Sequence, residues 1–143
     1  MGDRYEEEEL GTFAVRCHCG AMRAEVTCNL DEIICWDCNC SDCAMRRNLH
    51  FIVPRARFSV QCDLGAVASL YLWGTGVARR HFCKTCGVLP WYTPRSNPDG
   101  VGVTVGCVQW EGDKKPRILI KKYDGTRWEE SHAATGIAAE SEM

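Results

Sequence analysis

Seven of the eleven cysteines in this 143-residue chain fall into three tight groups. Cys17-His18-Cys19-Gly20 is a CxC, Cys38-Asn39-Cys40-Ser41-Asp42-Cys43 a CxCxxC, and Cys83-Lys84-Thr85-Cys86-Gly87 a CxxCG. Thiolates at such spacings are ligands for a soft or borderline metal, zinc above all. In the CxxCG knuckle the glycine lets the backbone turn so that both sulfurs face one ion. Two thiolates do not close a tetrahedral site, so a second pair is required. In a strand, residues i and i+2 share a face, so Cys17 and Cys19 can supply that pair. Cys17, Cys19, Cys83 and Cys86 then make a closed four-cysteine site, which is structural because no position is left for a substrate.

The CxCxxC offers three sulfurs. Three protein ligands plus an open position is the pattern of a catalytic zinc, which marks Cys38, Cys40 and Cys43 as the candidate catalytic centre. Two other readings stay open: a fourth residue closes the site, or no second metal binds. Cys35, His50 and His81 are the candidates for a fourth ligand. Cys35 lies three positions from Cys38, so in an extended chain it faces the opposite way. The solitary Cys28, Cys35, Cys62 and Cys107 read as small buried hydrophobes.

Disulfides fit these cysteines poorly. Their number is odd, they cluster, and the opening Met-Gly-Asp-Arg-Tyr-Glu-Glu-Glu-Glu has no apolar stretch of signal type. The expectation is a zinc protein of the reducing cytoplasm, with the nucleus as the alternative. The near-apolar run from Ala66 to Trp73 is far short of the 18 or more residues of a membrane helix, so no membrane partner is expected.

The elements that must position these residues are mostly short strands. Runs rich in Val, Ile, Phe, Tyr and Trp, separated by Gly, Asp, Asn and Pro, span 12–17, 22–28, 33–38, 50–53, 58–61, 69–73, 79–83, 88–92 and 101–105. Helix is expected only over 41–48 and 126–131. The fold class is therefore mainly β, in one domain. Residues 1–10 read as an acidic disordered leader, 11–130 as the zinc domain and 131–143 as a flexible tail. Formal charge is −2 overall, yet residues 43–98 carry eight basic groups against Asp63 alone. That segment keeps a protein or nucleic-acid partner in view, although the overall charge argues against nucleic acid.

Cys17-His18-Cys19-Gly20-Ala21, then Cys38-x-Cys40-x-x-Cys43, then Phe82-Cys83-x-x-Cys86-Gly87 together resemble the glutathione-dependent formaldehyde-activating enzyme (GFA) family. Tyr123-Asp124-Gly125-Thr126-Arg127-Trp128-Glu129 resembles that family's closing motif. Within the family, His50-Phe51-Ile52-Val53-Pro54 and Tyr92-Thr93-Pro94-Arg95-Ser96-Asn97-Pro98 are most similar to centromere protein V type members. The basic, Pro-rich N-terminal extension of the vertebrate centromere protein has no counterpart here.

The resemblance implies an Mss4-like folded-over β-sheet domain pinned by two zinc ions. One would sit at Cys17, Cys19, Cys83 and Cys86, the other at Cys38, Cys40 and Cys43. It implies a carbon–sulfur lyase that interconverts formaldehyde plus glutathione with S-hydroxymethylglutathione. Glutathione, or a related small thiol, would place its sulfur at the three-cysteine zinc. Its carboxylates suit arginine forks, which nominates Arg46, Arg47 and Arg95 as substrate-binding, with His50 lining the pocket. The alternative is a non-catalytic zinc module of centromere protein V type that binds a partner through its basic middle. A methionine sulfoxide reductase relative needs paired CxxC knuckles, which the CxC groups do not provide.

Overall fold

The computed structural model describes residues 8–142. The first seven residues of the acidic leader therefore lie outside the described residues. The rest is organised around two sheets, as the run of short strands leads one to expect. β1 (Leu10–Arg16), β2 (Arg23–Asn29) and β5 (Phe58–Val60) form a small antiparallel sheet in the order β1-β2-β5. The large sheet adds β3 (Glu32–Cys38), β4 (Leu49–Pro54), β6 (Ala68–Tyr71), β7 (Arg79–Cys83), β8 (Trp91–Thr93), β9 (Gly100–Thr104) and β10 (Arg117–Tyr123). Its order is β10-β3-β4-β9-β8-β7-β6, and only the β10–β3 pair is parallel. Among the described residues are three short α-helices, α1 (Ser41–Arg46), α2 (Leu64–Val67) and α3 (Trp128–Thr135), and four 3-10 turns.

Strand alternation decides what each face of the large sheet carries. Ile33 and Cys35 on β3, Phe51 and Val53 on β4, Val101 and Val103 on β9, and Trp91 on β8 point to one side. There they meet Phe13, Val15, Ala24 and Val26 of the small sheet, and this is the main core. Intervening residues go to the opposite side: Trp36 on β3, Ile52 on β4 and Tyr123 on β10 form a second cluster with Ile137. Cys35 is therefore in the main core, turned away from Cys38, as its odd spacing requires. Burial pushes its thiol up to about 12, so it behaves as an inert hydrophobe.

Two expectations need correction. β10 has no counterpart among the strands read from the sequence. Its Arg-Ile-Leu-Ile-Lys-Lys run shows no polar/apolar alternation, because it is an edge strand whose Leu119 and Ile120 are exposed. The described part of the tail is not loose. α3 ends at the left-handed cap Gly136, and a 3-10 turn follows at Ile137–Ser141, where Ile137 is buried against Trp36, Ile52 and Tyr123. Asn97, wholly buried, donates through Nδ2 to the carbonyls of Ile137 (2.9 Å) and Ala138 (3.3 Å) and to Ser141 Oγ (2.9 Å). Ser141 Oγ donates in turn to Asp99, and Trp36 Nε1 donates to Glu140 at 2.6 Å. These partners lie far away in sequence, so local composition did not announce them.

Glu140 yields a pH prediction. Burial, opposed by the Trp36 hydrogen bond and by Lys121, pushes its carboxyl up from 4.5 to about 7. A raised carboxyl pKa stabilises the fold below the unfolded value, and that contribution fades as pH climbs through the folded one. The Glu140 contribution to thermal melting should therefore fall from about pH 5 to about pH 8, read as the difference between wild type and variant because buried His50 pulls the other way below about pH 6.5. Glu140→Gln, which still offers Trp36 an acceptor, should lose this component of the decline.

Candidate metal centre and active-site cavity

The CxC and the CxxCG meet. Cys17 and Cys19 lie in the β1–β2 turn, while Cys83 ends β7 and Cys86 follows it. Gly87 takes φ +77°, the left-handed turn expected of the knuckle. The four Sγ atoms lie within 4.8 Å of one another, with Cys17–Cys19 at 3.7 Å and Cys19–Cys83 at 3.5 Å. A tetrahedron with 2.3 Å zinc–sulfur bonds has edges of roughly 3.8 Å, so the donor set fits zinc in kind and spacing. Backbone N–H groups of Met22, Thr85 and Cys86 also point at these sulfurs. The cluster ties the small sheet to the large one.

The second trio is local. Cys38 ends β3, Cys40 caps α1 and Cys43 sits in its first turn, again with all sulfurs within 4.8 Å. Hydrogen bonds from Cys38 and then Cys43 hold the Cys40 thiol far below its usual range, and both neighbours are pushed up. Three sulfurs this close could hold one cation, and sharing its charge would let them ionise together. Among the described residues no fourth Cys, His, Asp or Glu atom joins the trio. His81 does not line its surroundings, and His18 is exposed.

The metal loop is docked on β10. Asn39 N–H donates to the Tyr123 carbonyl (3.1 Å), and Gly125 N–H donates to Asn39 Oδ1 (2.6 Å). A Cβ on Gly125 would fall 2.6 Å from Cys40 Cβ and 2.8 Å from Cys40 N. The Tyr123-Asp124-Gly125 motif thus holds the trio from behind.

The three sulfurs open on a cavity of about 210 Å³ on the second face of the large sheet. Rings of Trp36, Trp73, Tyr92, Tyr123 and Trp128 supply much of its wall. Arg80 was not among the residues singled out from sequence, yet it lines the cavity and is nearly buried. Its Nε donates to Asp42 Oδ2 at 2.5 Å, and its guanidinium lies 5.4 Å from the Trp73 ring and 5.0 Å from the Tyr92 ring. The pairing is legible only after β7 and α1 are brought together.

Of the proposed substrate residues, the structure places His50 and Arg95 at the cavity and leaves Arg46 and Arg47 off it. Arg46 bonds Asp42 at 2.9 Å through the i,i+4 geometry of α1. Arg47, the left-handed C-cap of α1 at φ 51°, is exposed. Arg95 lies 3.7 Å over the Trp128 ring, with Nη2 3.4 Å from Glu129. His50 is buried between Asn48 and Tyr92, and burial depresses its pKa to about 4. Burial likewise lifts Tyr92 well above 10, so both are neutral.

The glutathione-dependent formaldehyde-activating enzyme family model matches residues 12–123, and the chain belongs to that family. The two sheets folded over their cysteine clusters are its Mss4-like architecture. A Penicillium rubens protein named "Putative glutathione-dependent formaldehyde-activating enzyme" is 34% identical over 85 residues. That match covers 54% of this chain and 44% of the fungal protein, so the chain spans less than half of that relative. A Rhodobacter sphaeroides protein of known crystal structure superposes with a TM-score of 0.60 at 27% identity. The superposition covers 74% of this chain and 99% of the bacterial one. No helix among the described residues is long and apolar enough to cross a membrane.

The two clusters should respond differently to mutation. Cys86→Ser removes a donor that joins distant parts of the chain, so the cooperative melt should be lost or strongly lowered. Cys40→Ser and Gly125→Ala should keep a cooperative melt, while metal content measured by mass spectrometry drops by one ion or its retention against a chelator weakens.

Proposed function

We propose that the protein is a zinc-dependent carbon–sulfur lyase, interconverting formaldehyde plus glutathione, or a related small thiol, with S-hydroxymethylglutathione. The observation that carries this reading is the three-sulfur trio, without a fourth protein donor among the described residues, facing an aromatic cavity. Cys17, Cys19, Cys83 and Cys86 would hold a structural zinc, and Cys38, Cys40 and Cys43 a second one. Zinc at the trio would favour an incoming sulfur as thiolate.

The chain's own residues do the rest. The cavity is smaller than the roughly 300–1,000 Å³ of pockets for drug-sized ligands, so it admits the thiol arm and the aldehyde rather than a whole tripeptide. Trp36, Trp73, Tyr92, Tyr123 and Trp128 wall the cavity and would confine the two reactants, a gain in proximity. Arg95, steadied on Trp128 and a third exposed, is the anchor for a glutathione carboxylate. The reducing cytoplasm, where thiols stay free, is the compartment this chemistry needs.

The partner-binding alternative of centromere protein V type draws less support, because much of the basic middle is engaged within the chain. Arg80 is buried, Arg46 and Arg57 are in ion pairs, and Arg55 donates to the carbonyls of Pro98 and Gly100.

Native mass spectrometry with and without glutathione tests the proposal. Two zincs per chain are expected, with glutathione adding to or displacing the second; Cys40→Ser should carry one and ignore the thiol. One zinc in the wild type, or two indifferent to glutathione, would refute it. Loss of Arg95 removes a charge-assisted contact worth about 1.5–3 kcal/mol when fully formed. Arg95→Ala should therefore weaken glutathione binding about tenfold or more, and leave binding of uncharged 2-mercaptoethanol unchanged, by calorimetry.

A further inference from the structure

The proposed reaction moves one proton from sulfur to oxygen, in a cavity walled by aromatic rings. A side chain placed to carry that proton would speed the step. Besides the cysteine trio, the titratable side chains lining the cavity are His50, Arg80, Tyr92, Arg95 and Tyr123. Arginines stay charged at any working pH. Tyr123 donates its hydroxyl hydrogen to the carbonyl of Trp128 at 3.3 Å. His50 and Tyr92 remain, and they touch: Tyr92 Oη lies 3.0 Å from His50 Nε2.

The surrounding network assigns which way this pair points. Thr104 Oγ1 spends its hydrogen on the carbonyl of Leu89, at 2.7 Å. It therefore accepts from Asn48 Nδ2, at 2.9 Å. That turns Asn48 Oδ1 toward His50 Nδ1, 2.8 Å away, so Nδ1 carries the ring hydrogen. Nε2 is then a bare lone pair, and it accepts the hydroxyl hydrogen of Tyr92. Gly102 makes room for the two rings: a Cβ there would fall 2.8 Å from Tyr92 Cε1 and 3.4 Å from His50 Cδ2. The rings meet edge to face with centroids 5.1 Å apart.

We infer that Tyr92 and His50 are the proton carrier of this site, Tyr92 touching the substrate and His50 holding the proton in transit; the inference rests on the thiol–aldehyde reading. In the synthetic direction the thiol hydrogen passes to Tyr92 Oη as Tyr92 hands its own hydrogen to His50 Nε2. The sulfur electron pair forms the C–S bond to formaldehyde, and the C=O π pair moves onto oxygen. That oxygen takes a hydrogen from Tyr92 as His50 returns its own. Thiol plus formaldehyde becomes hemithioacetal, with no proton gained or lost overall, and the reverse sequence breaks it down. Burial that disfavours the imidazolium makes His50 a brief carrier rather than a store.

A positioned acid–base group contributes about 10²–10⁴-fold. The test is NMR exchange spectroscopy on the zinc-loaded protein, reading interconversion of ¹³C-formaldehyde and S-hydroxymethylglutathione above the buffer rate. Tyr92→Phe should lower the catalysed rate about 100-fold or more, with glutathione binding by native mass spectrometry nearly unchanged. His50→Gln still accepts from Tyr92 but does not carry a proton, and should lose a similar factor. ¹⁵N shifts of the wild-type His50 ring should show Nδ1 protonated and Nε2 bare, a readout that needs neither turnover nor a variant.

A protonated Nε2 would overturn the carrier. So would a Tyr92→Phe rate close to that of the wild type, or variants that lose thiol binding as fully as rate, since that pattern marks a structural role. A wild type with no exchange above buffer would instead refute the thiol–aldehyde reading, and the carrier would fall with it.

Discussion

A strand sends successive side chains to opposite faces, and in the central strands of the large sheet both faces are covered. That constraint underlies everything else in the structure. Phe51 and Val53 serve the main core while His50 and Ile52, their neighbours on β4, serve the other side. Trp91 packs inward and Tyr92 lines the cavity. Cys35 and Cys38 are divided in the same way. A slip of one residue in β4 would drive His50 into the apolar core and turn Phe51 toward the metal trio, so register is under strong control. The sheet is a partition: one side supplies stability and the other a chemical surface.

The two cysteine clusters use the same ligand for opposite ends. One draws residues 17–19 and 83–86 together and closes a long loop, so its metal would belong to the folding free energy. The other is complete within six residues, Cys38 to Cys43, and leans on the partition for its setting. Asp42 joins the trio to its surroundings. One oxygen receives Arg46 from its own helix and the other receives Arg80 from β7. Arg80 then stands beside both Trp73 and Tyr92, so a charge buried near the sulfurs is paired and its guanidinium faces aromatic rings.

Much of this was legible in the residues themselves. Cysteine spacing carried both clusters, because sulfurs that share an ion obey short-range rules of strand and turn. The parity of Cys35 relative to Cys38 excluded it correctly, and eight of the nine strands expected from composition overlap a strand of the structure by at least three residues. What sequence did not reveal was long-range. Arg80 looked like one basic residue among eight, and its role appears only when β7 lies across from α1. Arg46 and Arg47, adjacent to Cys43 in sequence, were nominated by proximity along the chain, which a helix does not convert into a shared cavity. The 137–141 segment, poor in large apolar residues, is held by Asn97 and Trp36, partners that no local pattern names.

Trp128 and Ile137 line the cavity and are made after all its other lining residues. On a ribosome, Cys38, Cys40 and Cys43 emerge some ninety residues earlier. At the usual rate of about 5–20 residues per second, the trio stands without these last two residues for several seconds of synthesis. An ion destined for the trio would therefore find the sulfurs more open before Trp128 and Ile137 arrive, which would give maturation an order: metal first, enclosure second.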